Sequence, residues 1–317
     1  MSPNESETHS DVWAEWLLRR RHGDDPDFAR AIQGRVEHFA DRVLDGACLS
    51  PGLRVVDVGA GDGLIAFRAI ARIGPSLKVL LTDLSISLLR HVERLAIERG
   101  VRNQCEFLNA PAEKLAGIAD ASVDAVMTRS VLAYVADKPA ALREFHRVLL
   151  PGGRLSIAEP IFQDDALMTM KLRQRIDGPP LGAQQQFLQL LHRVKAAQFP
   201  DTPEAMAQSP IANYSERDLF RMAGAAGFTE IHLALQMTSI PRISRSWEVF
   251  LESSPHPLAP SVKQTLATQF SPDERRLFEQ VFRPAIEDEQ ATGVERMVYL
   301  TATKPEKSER RVAPVEG

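Results

Sequence analysis

Between residues 54 and 160, short β-rich runs alternate with amphipathic segments: "RVVDVG", "KVLLTDLS", "CEFLNA", "VDAVMTRS" and "GRLSIAEP" are the β-rich ones. No other feature of this chain restricts its fold so sharply. Two parallel strands of one sheet need a long crossover between them, usually a helix, so this rhythm predicts β-α-β units and a parallel sheet. The intervening segments carry helical faces. Leu88, Leu89, Val92, Leu95 and Ala96 fall on one, and Leu142, Phe145, Val148 and Leu149 on another. "LLPGGRL" stops the latter helix at Pro151, Gly152 and Gly153, and a strand is expected from about Arg154.

Upstream, Val12, Trp13, Trp16 and Leu17 have helical spacing, and Phe28, Ile32, Val36, Phe39 and Val43 continue it in a second segment. Downstream of "AEP" the rhythm lapses, with "DGPPLG" reading as a turn and "QQQFLQLLHRVKAAQF" as a helix. Regular structure returns at "YSERDLFRMAGAAGF", where Ser215 caps a helix with Asp218 three residues on, and "TEIHLALQMTSI" follows as a strand. A second interruption spans 241–293. It contains "SPDERRLFEQVF", a helix start with Ser271 as cap, Pro272 at the first position and Glu274 beyond; "ERMVYLTATKP" is the last strand. The expected organisation is therefore N-terminal helices over 1–49 forming part of a cap, a core over 50–160, and a helical cap insertion over 161–213. The core continues over 214–240, a second helical insertion fills 241–293, the last strand takes 294–304, and 305–317 is a mobile tail.

The chain has 317 residues and a net charge of −4, with Arg19, Arg20 and Arg21 as the longest basic run, so no footprint for a polyanion is present and nucleic acid is a poor partner. "MSPNESETHSD" carries no apolar leader and no stretch reaches the length of a membrane span, which reads as a soluble, cytoplasmic protein without a membrane role. Cys48 and Cys105 stand outside any C-x-x-C or His-rich context and are expected as small buried hydrophobes, so neither a disulfide framework nor a metal site is indicated.

The chemistry concentrates in "VVDVGAGDGL", residues 55–64. Glycines after a strand let the backbone approach a ligand and turn into a helix N-terminus. Gly59, Gly61 and Gly63 give G-x-G-x-G, which lacks the Lys-Ser/Thr of a nucleoside triphosphate loop and departs from the G-x-G-x-x-G of a dinucleotide site. Asp57, before the glycines, would repel a pyrophosphate and attract an ammonium or a sulfonium. Asp83 ends the next strand, where a carboxylate accepts hydrogen bonds from ribose hydroxyls. A nucleoside carrying positive charge satisfies both.

With these motifs in order, "VVDVGAGDG", "LLTDLS", "APAEKL" before "DASVDAVMTRSVLAYV", and "FHRVLLPGGRLSIAEP", residues 50–160 resemble the class I S-adenosylmethionine-dependent methyltransferases. The likeness is to the small-molecule branch that includes the ubiquinone and menaquinone methyltransferases. It implies an α/β, Rossmann-like, seven-stranded and mostly parallel sheet with helices on both faces, and S-adenosyl-L-methionine as cofactor. By that resemblance Asp57, Gly59 and Gly61 line the methionine moiety, Asp83 and Leu84 the ribose and adenine, Ala112 and Glu113 the adenine edge, and Arg129 and Ser130 the methionine part. Relatives often have Asp before the Ala-Glu pair; here Pro111 stands there, so either Glu113 takes over that contact or backbone groups suffice.

Methyl transfer is an in-line displacement at an already activated carbon, and positioning supplies most of its acceleration. A base is needed only for an acceptor of high pKa. Ligands of open parallel sheets sit at the strands' carboxyl ends, which singles out Arg129, Tyr134 and Glu159; Glu159, after the fifth strand, either orients or deprotonates the acceptor or is a carboxylate paired within the lid. Tyr214 is a further candidate, either packed in the core, the favoured reading, or closing over the substrate. His146 is expected to be exposed, while His192 is ambiguous. The insertions, with Met168, Met170, Phe187, Leu188 and Leu191 in one and Trp247, Phe250, Leu251, Leu266, Phe278 and Phe282 in the other, are expected to shield a small, partly apolar acceptor. The helix with Trp13 and Trp16 suits either the cap or a homodimer contact. A nicotinamide-dependent oxidoreductase, disfavoured by the glycine spacing and Asp57, and a non-catalytic partner subunit of the same fold are the alternatives.

Overall fold

The computed structural model describes residues 11–180, 182 and 184–306. Most of the tail expected at 305–317 lies outside that range. Two helices, α1 (Val12–Leu18) and α2 (Pro26–Ala47), precede β1 (Arg54–Val58), α3 (Leu64–Ile73), β2 (Lys78–Asp83), α4 (Ile86–Glu98), β3 (Cys105–Asn109) and β4 (Val123–Arg129). The core continues with α5 (Lys138–Val148) and β5 (Leu149–Glu159). Three helices follow, α6 (Gln163–Asp177), α7 (Gln184–Ala196) and α8 (Pro203–Gln208), then α9 (Glu216–Ala225) and β6 (Thr229–Pro241). Finally α10 (Trp247–Glu252), α11 (Val262–Gln269) and α12 (Pro272–Glu287) lead into β7 (Thr292–Thr303).

The strands make one seven-stranded sheet in the order β3-β2-β1-β4-β5-β7-β6, parallel except for β7, which runs antiparallel to both neighbours. β1, at the switch point of that order, is buried along Val55 to Val58 because both sheet faces are covered. One face packs under α5 and α9 through Leu142, Phe145, Val148 and Leu219. The other is covered by α2, α3 and α4 through Val43, Leu44, Phe67, Ile70 and Val92. Helix α2 approaches the sheet so closely that a Cβ on Gly46 would overlap Ser156 and Thr301. Ser156 Oγ then donates to Val43 O at 2.7 Å.

Three sequence-based expectations are corrected. β5 begins at Leu149, not near Arg154, because Pro151, Gly152 and Gly153 stay within the strand as an irregularity against β4. Cys48 is exposed at the left-handed C-cap of α2 (φ 51°), whereas Cys105 is buried. His146 is half-buried, its ring 5.2 Å from Phe228 in an edge-on contact.

The feature that shapes the site is the length of the β6-β7 ribbon. β5 ends against Val298, yet β6 and β7 remain paired out to Pro241 opposite Thr292. At about 3.4 Å per residue this overhang reaches roughly 20 Å beyond the carboxyl end of β5. Helices α10 to α12 hang from its tip and share an apolar cluster with α7 through Trp247, Leu266, Phe270, Phe278, Leu190 and Val194. Trp16 Nε1 donates to Ser254 O at 3.0 Å and Arg20 Nη2 to Ser254 Oγ at 3.1 Å, tying α1 and the turn after it to the same cap. Among the described residues no helix is long and apolar enough to cross a membrane.

Candidate active site

A cavity of about 780 Å³ lies between the carboxyl ends of the parallel strands and this cap. Its floor is the run from Asp57 to Asp62, with Asp83 and Leu84 after β2, Ala112 and Glu113 after β3, and Arg129 and Ser130 after β4. The nine residues expected to surround the cofactor are thus brought to one wall. Gly59 (φ 66°) and Gly63 (φ 78°) are left-handed; a Cβ would overlap Val131 at the first and Val92 and Phe67 at the second, so both glycines are demanded by conformation and protein packing.

Asp83 is held rigidly. One carboxylate oxygen accepts from Gly61 N at 2.9 Å and the other from Ser85 N at 2.8 Å. A carboxylate offers about four acceptor positions, so a vicinal diol can still be received by those that remain. Burial raises its pKa. Asn109 Nδ2 fixes the turn beside it, donating to Asp83 O and Leu84 O at 2.8 and 3.0 Å. Leu84 is 55% exposed and lies on the cavity wall, an apolar surface ready for an aromatic base. Asp11, the cap of α1, accepts from Ser85 Oγ at 2.5 Å and lays the N-terminal helix across this end.

Asp57 is buried, with one oxygen accepting from Ala66 N at 3.2 Å. Desolvation pushes its pKa up to about 8, against the pull of the Ala66 amide and Arg129 and with help from Asp62 and Asp83. A cation bound beside it would reverse that shift. Arg21, after α1, retains some accessible surface; the surrounding protein and Arg129 push it down to about 10, while Asp62 and Tyr134 act in the opposite sense. Two guanidinium groups therefore converge near Asp62. Ser130 takes a left-handed φ of 57°, unusual for a residue with a side chain, and its N–H donates to Ala158 O at 2.8 Å.

The residues expected to act on the acceptor separate. Tyr134 lines the cavity, its ring 5.4 Å from Trp13 and 6.3 Å from Phe162; burial and Glu159 push its phenol above the ordinary range. Glu159 does not reach the wall. It is wholly buried, and its carboxylate accepts from Val131 N and Leu132 N, both at 2.9 Å, and from Ala133 N at 3.1 Å. These bonds cap the turn Leu132–Tyr134 and leave the group aimed at backbone rather than at an acceptor. Tyr214 is likewise buried away from the cavity, its hydroxyl donating to Pro160 O at 3.2 Å and Lys138 Nζ lying 4.4 Å from its ring. His192 pairs with Asp201 at 3.1 Å and is absent from the wall.

Sequence reasoning did not single out Arg21, Arg242 or Arg245, which also line the cavity. "RRR" signalled Arg21 only as charge. The apolar roof comes from Trp16, Phe28, Leu191, Phe250, Phe278 and Phe282. Met168 instead faces solvent at 63% exposure. Among the described residues no three His, Cys, Asp or Glu side chains gather as a metal site.

Comparison with known proteins adds to this geometry. A family described as "Methyltransferase domain" matches residues 49–198. The ubiquinone/menaquinone biosynthesis C-methyltransferase UbiE of Hahella chejuensis is 37% identical over 116 residues, which is 37% of this chain and 46% of that protein. Its counterpart in Pseudomonas putida F1 is 40% identical over 108 residues, 34% of this chain and 42% of that protein. The chain thus spans under half the length of these curated relatives. Among solved structures, the YcgJ protein of Bacillus subtilis superposes with a TM-score of 0.54 at 17% identity, covering 85% of this chain and 99% of that one. The [4+2]-cyclase SpnF gives 0.50 at 20% identity, covering 86% and 83%. These two likenesses establish the fold.

Proposed function

We propose, from the match of residues 49–198 to a methyltransferase-domain family, that the chain binds S-adenosyl-L-methionine and methylates a small, largely apolar acceptor held under the cap. Asp83 carries this reading: it is anchored by two backbone amides at the end of β2, with acceptor capacity left over for a ribose diol. When bound, the cofactor supplies a methyl group on a positively charged sulfur, open to in-line attack by the acceptor.

The protein's part is to hold, orient and dry the reactants. Asp57 would face the cationic methionine end, and Arg21 with Arg129 would receive its carboxylate; Leu84, Ala112 and Glu113 would border the base, and backbone at Gly59, Gly61 and Ser130 would close the pocket, all of them lining this cavity. Glu113 lies on the wall two residues beyond Pro111, where either its carboxylate or nearby backbone groups would meet the adenine edge. Tyr134 stands at the acceptor end as a wall and hydrogen-bond donor, because its raised pKa makes it a poor base. Glu159 and Tyr214 are positioning residues beneath it. Orientation in a water-poor cavity is the main source of rate, worth on the order of 7–11 kcal/mol for well-placed reactants.

A small-molecule acceptor fits a net charge of −4, which offers nothing to a polyanion, and a cytoplasmic setting is part of the same proposal. No feature of the site favours a nicotinamide oxidoreductase or a non-catalytic subunit. Calorimetric titration with S-adenosylhomocysteine should give saturable one-site binding. Incubation of cell extract with protein and methyl-labelled cofactor should then yield a labelled small molecule by mass spectrometry; no binding and no labelled product would remove the proposal.

A further inference from the structure

The cavity wall segregates its charges. Its four carboxylates, Asp57, Asp62, Asp83 and Glu113, all come from the strand ends, whereas the cap contributes cations and no carboxylate. One of these, Arg35, is already paired with Glu295 at 3.0 Å. Arg242 and Arg245, on the loop between β6 and α10, have no carboxylate partner among the described residues. Arg242 Nη2 donates to Ala285 O, and its Nε is buried without a partner. Arg245 Nη1 donates to Ser253 Oγ at 3.0 Å, with its guanidinium 5.0 Å from the Phe250 ring and 5.9 Å from that of Phe28. A guanidinium carries five N–H donors, so most of the donor capacity of this pair is unspent.

The two cations also oppose each other. Burial first, and Arg242 second, push Arg245 down to about 10. Glu287, on the helix end that Arg242 touches, does not relieve this. It is held by Arg283 at 3.2 Å and by Trp247 N at 3.1 Å. Like charges converging on an apolar cavity cost free energy that a bound anion would recover, and the planar fork of arginine matches carboxylate and phosphate oxygens. Arg21 belongs to the cofactor end, beside Arg129 and Asp62, and takes no part.

We propose that Arg242 and Arg245 form the counter-site for an anionic head group, a carboxylate or a phosphate, on an otherwise apolar acceptor whose body lies against Phe28, Phe250, Phe282 and Ile286. Calling that ligand an acceptor rests on the methyltransferase reading; the anion preference itself does not. A cavity of about 780 Å³ stands in the upper part of the range for small-molecule sites, roughly 300–1,000 Å³, which leaves room for a second molecule beside a nucleoside.

The test uses the full chain saturated with S-adenosylhomocysteine. It is titrated with anilinonaphthalene sulfonate and with phenylnaphthylamine, a neutral probe of the same ring body. The sulfonate should bind roughly ten-fold tighter, as a charge-assisted hydrogen-bond pair implies. That preference should vanish in R242Q/R245Q and persist, weakened, in R242K/R245K, with S-adenosylhomocysteine affinity unchanged in both. Equal binding of the two probes by the wild type, or an undiminished preference in R242Q/R245Q, overturns the proposal. Should the glutamine variant not fold, the wild type decides alone. Decanoate or decyl phosphate should displace the sulfonate probe at roughly ten-fold lower concentration than decanol, and equal displacement by decanol refutes the counter-site. The stronger of the two anions identifies the head group. A wild type that prefers the anionic probe yet never binds S-adenosylhomocysteine sinks the methyltransferase reading and leaves the counter-site standing.

Discussion

Asp57 within β1 and Asp83 at the end of β2 stand one strand apart, and burial raises the pKa of both. Asp83 is anchored by the Gly61 and Ser85 amides, so Asp83→Asn should weaken S-adenosylhomocysteine binding by roughly ten- to a hundred-fold, the scale of a charge-assisted hydrogen bond. Calorimetry reads that loss, and an affinity within two-fold of the wild type would count against the ribose assignment. Asp57, pushed up to about 8 by burial despite Arg129, is expected to hold a proton at neutral pH while no cationic ligand is bound. A cationic ligand lowers that value, so a proton must leave on binding, and affinity for S-adenosylmethionine should rise as pH climbs toward about 8 and level off beyond. Calorimetry at neutral pH in two buffers of different ionisation enthalpy measures the released proton. The release should disappear in Asp57→Asn, and buffer-independent heats in the wild type would contradict it. Both aspartates were legible in the sequence, because a carboxylate at a strand end is fixed by the strand itself. Arg242 and Arg245 were not. They lie in a segment without periodicity, and only the folded cap brings them to the cavity.

At the scale of elements, Glu159 shows what a motif position leaves undecided. Its place at the end of β5 could be read from "SIAEP", but not the direction of its side chain, which turns inward to cap the turn Leu132–Tyr134. A Gln there has one acceptor oxygen in place of two, so Glu159→Gln should leave a backbone amide unsatisfied and lower stability by about 1–3 kcal/mol. Turnover should drop as Tyr134 loses its support, while S-adenosylhomocysteine affinity is retained; a variant with wild-type melting temperature would refute the capping role. The sign with pH is also fixed. Burial pushes Glu159 up to about 7 from an ordinary 4.5, so its contribution to stability is full below the lower value and lost as pH rises through the upper one. The stability deficit of Glu159→Gln should therefore shrink over that interval. Elsewhere legibility followed periodicity. The capping boxes at Ser215 and Ser271 announced α9 and α12. Helix α6 gave no such sign, because only Ala166 and Thr169 along it are buried and a helix so solvated leaves no apolar stripe. The start of β5 differs from the expectation because Pro-Gly-Gly signals a turn, whereas here these residues form an irregularity inside the strand, between Leu149 and Arg154, which both pair with β4.

The molecule as a whole is built around separate apolar cores. The sheet and its helices bury two large clusters, while α7 and α10 to α12 gather around Phe278 in a third. The cap is attached to the sheet by the overhanging β6-β7 ribbon, by Arg296 bonded to Asp164 and Asp165 at 2.7 and 3.1 Å, and by the Trp16 and Arg20 bonds to Ser254. An element joined through a few polar ties and its own small core can open without unfolding the rest. Phe278 is 1% exposed, with rings of Trp247, Phe270 and Phe282 within 6.0 Å, so Phe278→Ala should cost about 3–5 kcal/mol locally. Hydrogen exchange should then quicken across α7 and α10 to α12 and stay slow in β1 and β4. The floor of the proposed cofactor site is built on those strands, so S-adenosylhomocysteine affinity should change little while turnover falls, as expected if the cap is the dry roof over an acceptor. Uniformly faster exchange through the sheet, with cofactor affinity lost in proportion, would instead mean that cap and sheet fold as one cooperative unit and that closure over the acceptor is not separable from assembly of the cofactor site.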